Sequence, residues 1–199
     1  MARMPSAERR RQLTEAAIRA MTRDGVPRTT TRSIAAEAGV SLSVFHYCFD
    51  SKQELLESVM TTITEHYVAV VRDAIRPRAT VRETIRAGLQ AYWDHVAAHP
   101  GEHMLTYELT QYALRQPGFG HLARRQYELY AEIYEALIEQ LAAGMELDPS
   151  VKVPVLARYL AAMTDGLTLN FLVAGDAGAA ADILDVIADH VADLFRADT

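Results

Sequence analysis

One glycine constrains how the N-terminal quarter of this chain can fold. Thr31 to Ala38 is a short Ala-rich amphipathic stretch with Ile34, Ala35 and Ala38 on its inward side, and it stops at Gly39. Two residues on, Ser41 offers an N-cap for a second short stretch, in which Phe45 and Phe49 stand four apart as a buried stripe. Helix, glycine stop and second helix make a helix-turn-helix, a unit whose second helix fits the DNA major groove. Leu42, Ser43, Val44, His46 and Tyr47 lie wholly or partly off the stripe. Apolar side chains left outside so small a headpiece mark a partner surface.

The flanking signals frame that motif. A first helix is expected from near Ser6, as N-cap, to Asp24, with Gly25 as its stop and Leu13, Ala17, Ala20 and Met21 on one face. Arg9, Arg10 and Arg11 crowd its start. Val26 to Thr31 reads as a loop whose threonines supply the next N-cap. Ser51-Lys52-Gln53-Glu54 reads as a capping box that opens a long helix to about Ala74, with Leu56, Val59, Ile63, Tyr67 and Val70/Val71 as its apolar face.

Charge is distributed unevenly. The whole chain carries −6, which alone argues against nucleic acid. Residues 1–52, however, hold nine Lys/Arg against five Asp/Glu, a net +4 that leaves −10 for residues 53–199. The anion-seeking surface therefore belongs to the N-terminal end, and the acidic remainder should keep that end turned toward DNA.

Beyond Pro77 prolines and glycines punctuate helical patterns near 80–98, 102–115, 120–143, 152–174 and 179–196. Tyr127, Tyr130, Tyr134, Leu137 and Leu141 form one stripe, and Leu184, Ile187, Val191 and Leu194 another. No stretch alternates with period two, so no strand is expected. Runs of 18 apolar residues are missing, the first five residues lack a secretory apolar stretch, and Cys48 is the one cysteine. The expectation is an all-α, soluble, cytoplasmic protein with no membrane association. It divides into a helix-turn-helix domain at 1–52 and a helical ligand-binding and dimerisation domain at 53–199, about nine helices together.

Arg28-Thr29-Thr30-Thr31-Arg32-Ser33-Ile34-Ala35-Ala36-Glu37-Ala38-Gly39-Val40-Ser41, followed by Phe49-Asp50-Ser51-Lys52-Gln53-Glu54-Leu55-Leu56, closely resembles the DNA-binding signature of TetR-family transcriptional regulators. The resemblance is specific over about residues 8–60 and architectural beyond. It implies a homodimer that sets two headpieces in successive major grooves of a palindromic operator in double-stranded DNA. Helices near 152–174 and 179–196 would pair with their copies, and a small-molecule effector would spread the headpieces, most relatives being repressors. Ser43 stands where the family commonly has Gly, His46 where Tyr is frequent, and Cys48 where His is frequent. All three bear on the operator sequence.

Carried onto these positions, Leu42, Ser43, Val44, His46 and Tyr47 face base edges or the adjoining backbone, and Thr29, Thr30 or Thr31, Ser41, His46 and Lys52 meet phosphates. Leu42 and Val44 suit thymine methyls, and Ser43 suits several bases. The helix offers no Arg, Asn or Gln for bidentate base recognition, so specificity leans on apolar contacts, positioning and DNA shape.

For the effector, Tyr92, Trp93, Met104, Tyr107, Glu108, Gln111, Tyr112, Tyr130, Tyr134, Asp165, Asn170 and Phe171 mix aromatic and placed polar groups in the manner of a binding pocket. They point to a largely apolar or aromatic ligand, and Glu108 or Asp165 would admit a cationic group. His95 and His99, at i and i+4 with His103 beyond a Pro-Gly break, raise a metal-dependent enzyme as an alternative. Helix-end histidines also serve the helix dipole. Neither a metal nor any other cofactor is expected, nor catalysis. Cys48 near a basic surface raises a redox role that its small apolar character argues against. A regulator answering to a protein partner is the remaining alternative.

Overall fold

A computed structural model describes residues 5–197 and contains nine α-helices and one short strand pair among them. Contacts divide the chain into two compact units. The first takes the residues up to Glu65 together with Gly101–Gln126, and the second takes His66–Pro100 and the chain from Tyr127 onward. The change of unit falls inside a helix, thirteen residues beyond the expected 52/53 boundary, and the segment 101–126 joins the N-terminal unit although it is remote in sequence.

In the first unit α1 spans Ser6–Asp24. Pro5, and not Ser6, occupies its N-cap position, without a side-chain cap. Gly25 ends it at φ +82°, a left-handed turn that costs a Cβ-free residue little. Thr30 caps α2 (Thr31–Glu37) through a reciprocal box with Ser33: the Ser33 N–H donates to Thr30 Oγ1 at 3.1 Å, and the Thr30 N–H to Ser33 Oγ at 2.9 Å. Gly39 then turns at φ +66°, and α3 (Leu42–Cys48) follows. At the start of α4 (Lys52–Ala74) the Glu54 N–H donates to Ser51 Oγ at 3.1 Å, while Glu54 Oε2 accepts from the Asp50 N–H at 2.8 Å, one residue further back than the expected box. Leu13, Ile34, Phe45, Phe49, Leu55 and Ile63 share one core with Leu105 and Leu109 of α6 (Pro100–Arg115) and with Leu122 at the start of α7 (Gly120–Met145). Burial of each such side chain stabilises the fold by about 1.5–3 kcal/mol.

The second unit has α5 (Val81–Ala98), α8 (Val153–Ala174) and α9 (Ala177–Ala192) around its own core of Leu89, Trp93, Ile138, Leu156, Leu160 and Leu184. Arg82 and Arg86 of α5 bind Asp185 of α9 at 3.1 and 3.0 Å, and Arg82 also binds Asp189. The last helix stops at Ala192, short of the expected 196. The chain turns there, and β2 (Phe195–Ala197) pairs antiparallel with β1 (Leu147–Pro149), with the Ser150 N–H donating to the Leu194 carbonyl at 2.7 Å. Three residues are too few to display a period, so this pair left no mark in the sequence. No helix among the described residues is long and apolar enough to cross a membrane.

Candidate functional site

α3 splits as its spacing requires. Phe45 and Phe49 are buried, and so is Cys48, which closes the lone thiol into the core. Ser41, Ser43, His46 and Tyr47 are exposed, Tyr47 at 64%, with Leu42 and Val44 half-buried beside them. Ser41 stands at the N-cap without a side-chain cap bond, and its hydroxyl pairs with Ser43 Oγ at 2.8 Å. The outward surface of α3 thus carries no Lys, Arg, Asp or Glu and is hydroxyl-bearing and partly apolar.

The three threonines before α2 diverge. Thr29 is buried and donates to the Gly25 carbonyl at 2.8 Å, so its hydroxyl points inward and not toward a phosphate. Thr30 is exposed but engaged in its cap, and Thr31 is half-buried. Lys52 lies 5.3 Å over the Tyr112 ring, and burial lowers the pKa of its ammonium. The basic headpiece is also more neutral than its residue count. Arg10 binds Glu54 (2.7 Å), Arg11 binds Glu8 (2.6 Å), and Arg19 (3.3 Å) and Arg23 (3.0 Å) share Glu37. Hydrogen bonds from Arg23 and then Arg19 hold Glu37 below the usual carboxylate range.

Several residues expected in an effector pocket belong to this first unit. Glu108 of α6 accepts from the Val26 N–H at 2.9 Å, which fastens α6 to the loop after α1. At Gly25 a Cβ would lie 3.1 Å from Glu108 Oε1, so the glycine admits the carboxylate as well as the turn. Tyr112 packs edge-on against Phe119 at 6.0 Å. Met104 and Gln111 are exposed, and Tyr107 is half-buried. Gln53 and His121 are 2.8 Å apart, a second tie between α4 and the 101–126 segment.

The second unit holds a partly open cavity of about 70 Å³ with Tyr67, Tyr92, Tyr130 and Tyr134 among its walls and Ile, Leu and Val over most of the rest. The rings of Tyr67 and Tyr92 meet at 81° with centroids 5.7 Å apart, and Tyr130 stands 6.4 Å from Tyr67. The hydroxyls run to one stripe of α8: Tyr92 to Thr168 (2.6 Å), Tyr134 to Thr164 (2.7 Å), and Tyr127 donates to Asp165 (3.1 Å). Burial pushes the Tyr92 phenol well up and that of Tyr134 to about 12. Trp93 and Phe171 pack together at 4.7 Å outside the wall, and the exposed Asn170 donates to the Gly166 carbonyl.

Of the expected set, Tyr92, Tyr130 and Tyr134 come together in the wall, with Asp165 behind them. Tyr67 and Tyr127 were missing from it. Their signal was present as tyrosines inside apolar helical stripes, where ring packing and pocket lining look alike. His95 is buried and stacks on His99 at 4.4 Å, and His103 belongs to the first unit. No group of three His, Cys, Asp or Glu among the described residues could hold a metal ion.

Residues 13–59 match the family model described as bacterial regulatory proteins, tetR family, and residues 77–196 match that of the BetI-type transcriptional repressor, C-terminal. The chain is 27% identical over 191 residues to an HTH-type nicotine-responsive transcriptional repressor of Paenarthrobacter nicotinovorans, covering 96% of this chain and 97% of that one. With the HTH-type transcriptional regulator BetI of Cronobacter sakazakii the figures are 28% over 170 residues, 84% and 81%. A crystal structure from Rhodococcus sp. assigned to the TetR family shares the fold, with 20% identity, a TM-score of 0.80 and 94% and 99% coverage.

Proposed function

Since the chain belongs to the TetR family and is a DNA-binding transcriptional regulator, we propose that it is a repressor whose homodimer holds a palindromic operator and lets go when a small molecule enters the cavity of the second unit. The observation that carries the reading is the surface of α3, where Ser43, His46 and Tyr47 stand exposed between the Gly39 turn and the capped start of α4. A short helix with uncharged hydroxyls, an imidazole and half-buried Leu42 and Val44 suits thymine methyls and base edges in a major groove. Exposed apolar side chains on two helices of the second unit support the dimer: Val155, Met163, Leu169 and Val173 on α8, Ile183 and Val186 on α9. The nicotine-responsive name of one relative supports a small-molecule effector. We assign DNA binding to residues 1–52, extended by the α6 segment that shares their core, and effector binding and pairing to the rest. The reading places the protein in the cytoplasm beside its DNA and gives it no catalytic step.

The test is fluorescence anisotropy with duplexes from the intergenic DNA around its own gene. The dimer is expected to bind one palindrome among them, and Tyr47→Ala to weaken binding about tenfold, as loss of one good base contact does, with the melting temperature unchanged. Failure to bind any of that DNA overturns the proposal.

A further inference from the structure

Of the twenty Lys/Arg in the chain only Lys52 and Lys152 are lysines, and Lys52 is the one among the nine cations of residues 1–52. An arginine keeps its proton, whereas a lysine can lose one and become a nucleophile. The surroundings of Lys52 favour that loss. It is half-buried at the first position of α4, a helix of 23 residues, where the positive end of the helix dipole opposes an ammonium. Its Nζ stands 5.3 Å from the centroid of the Tyr112 ring. That is close to the limit of about 6 Å for a cation–ring attraction, so the ring shields the amine from water more than it holds its charge. Among the described residues no carboxylate lies within ion-pair distance of it. Glu54, in the same first turn, is taken by Arg10 at 2.7 Å and by the Asp50 N–H at 2.8 Å. Burial accordingly lowers the pKa of the Lys52 amine. Lys152 also stands at a helix N-terminus, the N-cap position of α8, but it is exposed, which makes it an internal reference for burial. The net +4 of residues 1–52 draws anionic reagents to the Lys52 side of the molecule.

We propose that Lys52 is a modification site, acylated without an enzyme by an acyl phosphate, and that the acylated protein loses its operator. The neutral amine attacks the carbonyl carbon of the acyl phosphate. The N–C bond forms, the C–O bond to the phosphate breaks, inorganic phosphate leaves with the electron pair, and the nitrogen gives its proton to water. The product is an uncharged amide, which removes one cation from the surface that meets DNA phosphates. Loss of the operator rests on reading Lys52 as a phosphate contact; the reactivity of the amine does not.

The test treats the full-length protein with acetyl phosphate and follows acetylation of the two lysines by peptide mass spectrometry. Lys52 is expected to react several-fold faster than Lys152, and its rate to level off at a lower pH. Exposure alone would give the opposite order, since Lys152 is the more open of the two. The duplex bound in the anisotropy assay should protect Lys52 and leave Lys152 alone. The acetylated protein and Lys52→Gln should bind that duplex about tenfold more weakly, with the slope of log K against log salt smaller by about 0.9. Lys52→Arg should keep both affinity and slope and leave no acetylation at that position. Acetylation of Lys52 no faster than that of Lys152 overturns the modification site. Fast acetylation of Lys52 with affinity and slope unchanged overturns the loss of operator, and with it the reading of Lys52 as a phosphate contact. Failure of the untreated protein to bind any duplex strikes the proposed function and the loss of operator together, while the ratio of the two acetylation rates, measured without DNA, still decides the site.

Discussion

Both units pair charges at their surfaces, but they differ in where their uncharged polar side chains point. The first settles its charges at the surface, where Arg10, Arg11, Arg19 and Arg23 lie against Glu54, Glu8 and Glu37, and leaves α3 to face outward without Lys, Arg, Asp or Glu. The second turns phenols inward and anchors two of them on the threonines of α8, with Asp165 between. Surface ion pairs in high dielectric contribute little to stability but fix which charges remain available. Buried hydroxyls must be satisfied, and once satisfied they hold rings at set angles. One unit is thus arranged as an outward surface, the other as an inward one.

The sharpest way to break this contrast is to empty one core and watch the other. Phe45→Ala should cost about 3–5 kcal/mol and abolish DNA binding. Trp93, the one tryptophan, belongs to the second unit and should keep its emission until higher denaturant. Loss of both signals in one transition would show that the units unfold as a single cooperative body. Next, Glu108→Ala removes the acceptor of the Val26 N–H and should cost about 1.5–3 kcal/mol, measured by urea denaturation. Glu108→Gln keeps a carbonyl acceptor and should cost less than half as much; equal losses would mean the bond at 2.9 Å does not hold the loop.

The phenols give the second unit a dependence on alkaline pH. Their folded pKa values lie above the ordinary 10, Tyr134 at about 12. The stability they contribute is therefore complete below pH 10 and is lost as pH rises through 12. The Trp93 transition should weaken over that window by about 2 kcal/mol, and Tyr134→Phe should flatten part of the slope. A flat profile would show that these hydroxyls are not held neutral by burial. The smallest effect is at the helix caps. Thr30→Ala should cost about 1 kcal/mol by thermal denaturation, whereas Ser41→Ala, which removes no cap bond, should cost a few tenths at most.

The same contrast explains which parts of the molecule the sequence could reveal. Gly25, Gly39, Thr30 and the Ser51–Glu54 pair act on their own neighbours, so the elements of the helix-turn-helix follow from short-range spacing. The cavity is made by residues from α4, α5, α7, α8 and α9, and periodicity within each helix does not say which tyrosines share a wall. Glu108 and Tyr112 carry the chemistry of pocket residues, a carboxylate and a phenol on an apolar helix. They sit instead on Val26 and Lys52, because α6 shares the core of Phe45 and Leu13. Thr29 was indistinguishable from its two neighbours until the fold turned its hydroxyl to Gly25.

The ion pairs of the headpiece have a consequence for thermodynamics in salt. DNA sheds condensed counterions when a cation meets its phosphates, and log K falls by about 0.9 per logarithm of salt for each phosphate so neutralised. An arginine that must first abandon a carboxylate leaves an anion needing a counterion of its own, and the net release is small. Among the described residues of this unit's N-terminal part, Arg9, Arg28, Arg32 and Lys52 have no carboxylate within ion-pair distance. If these four are the groups that meet phosphates, the expected salt slope of operator binding, read as log K against log salt, is shallower than nine Lys/Arg would give.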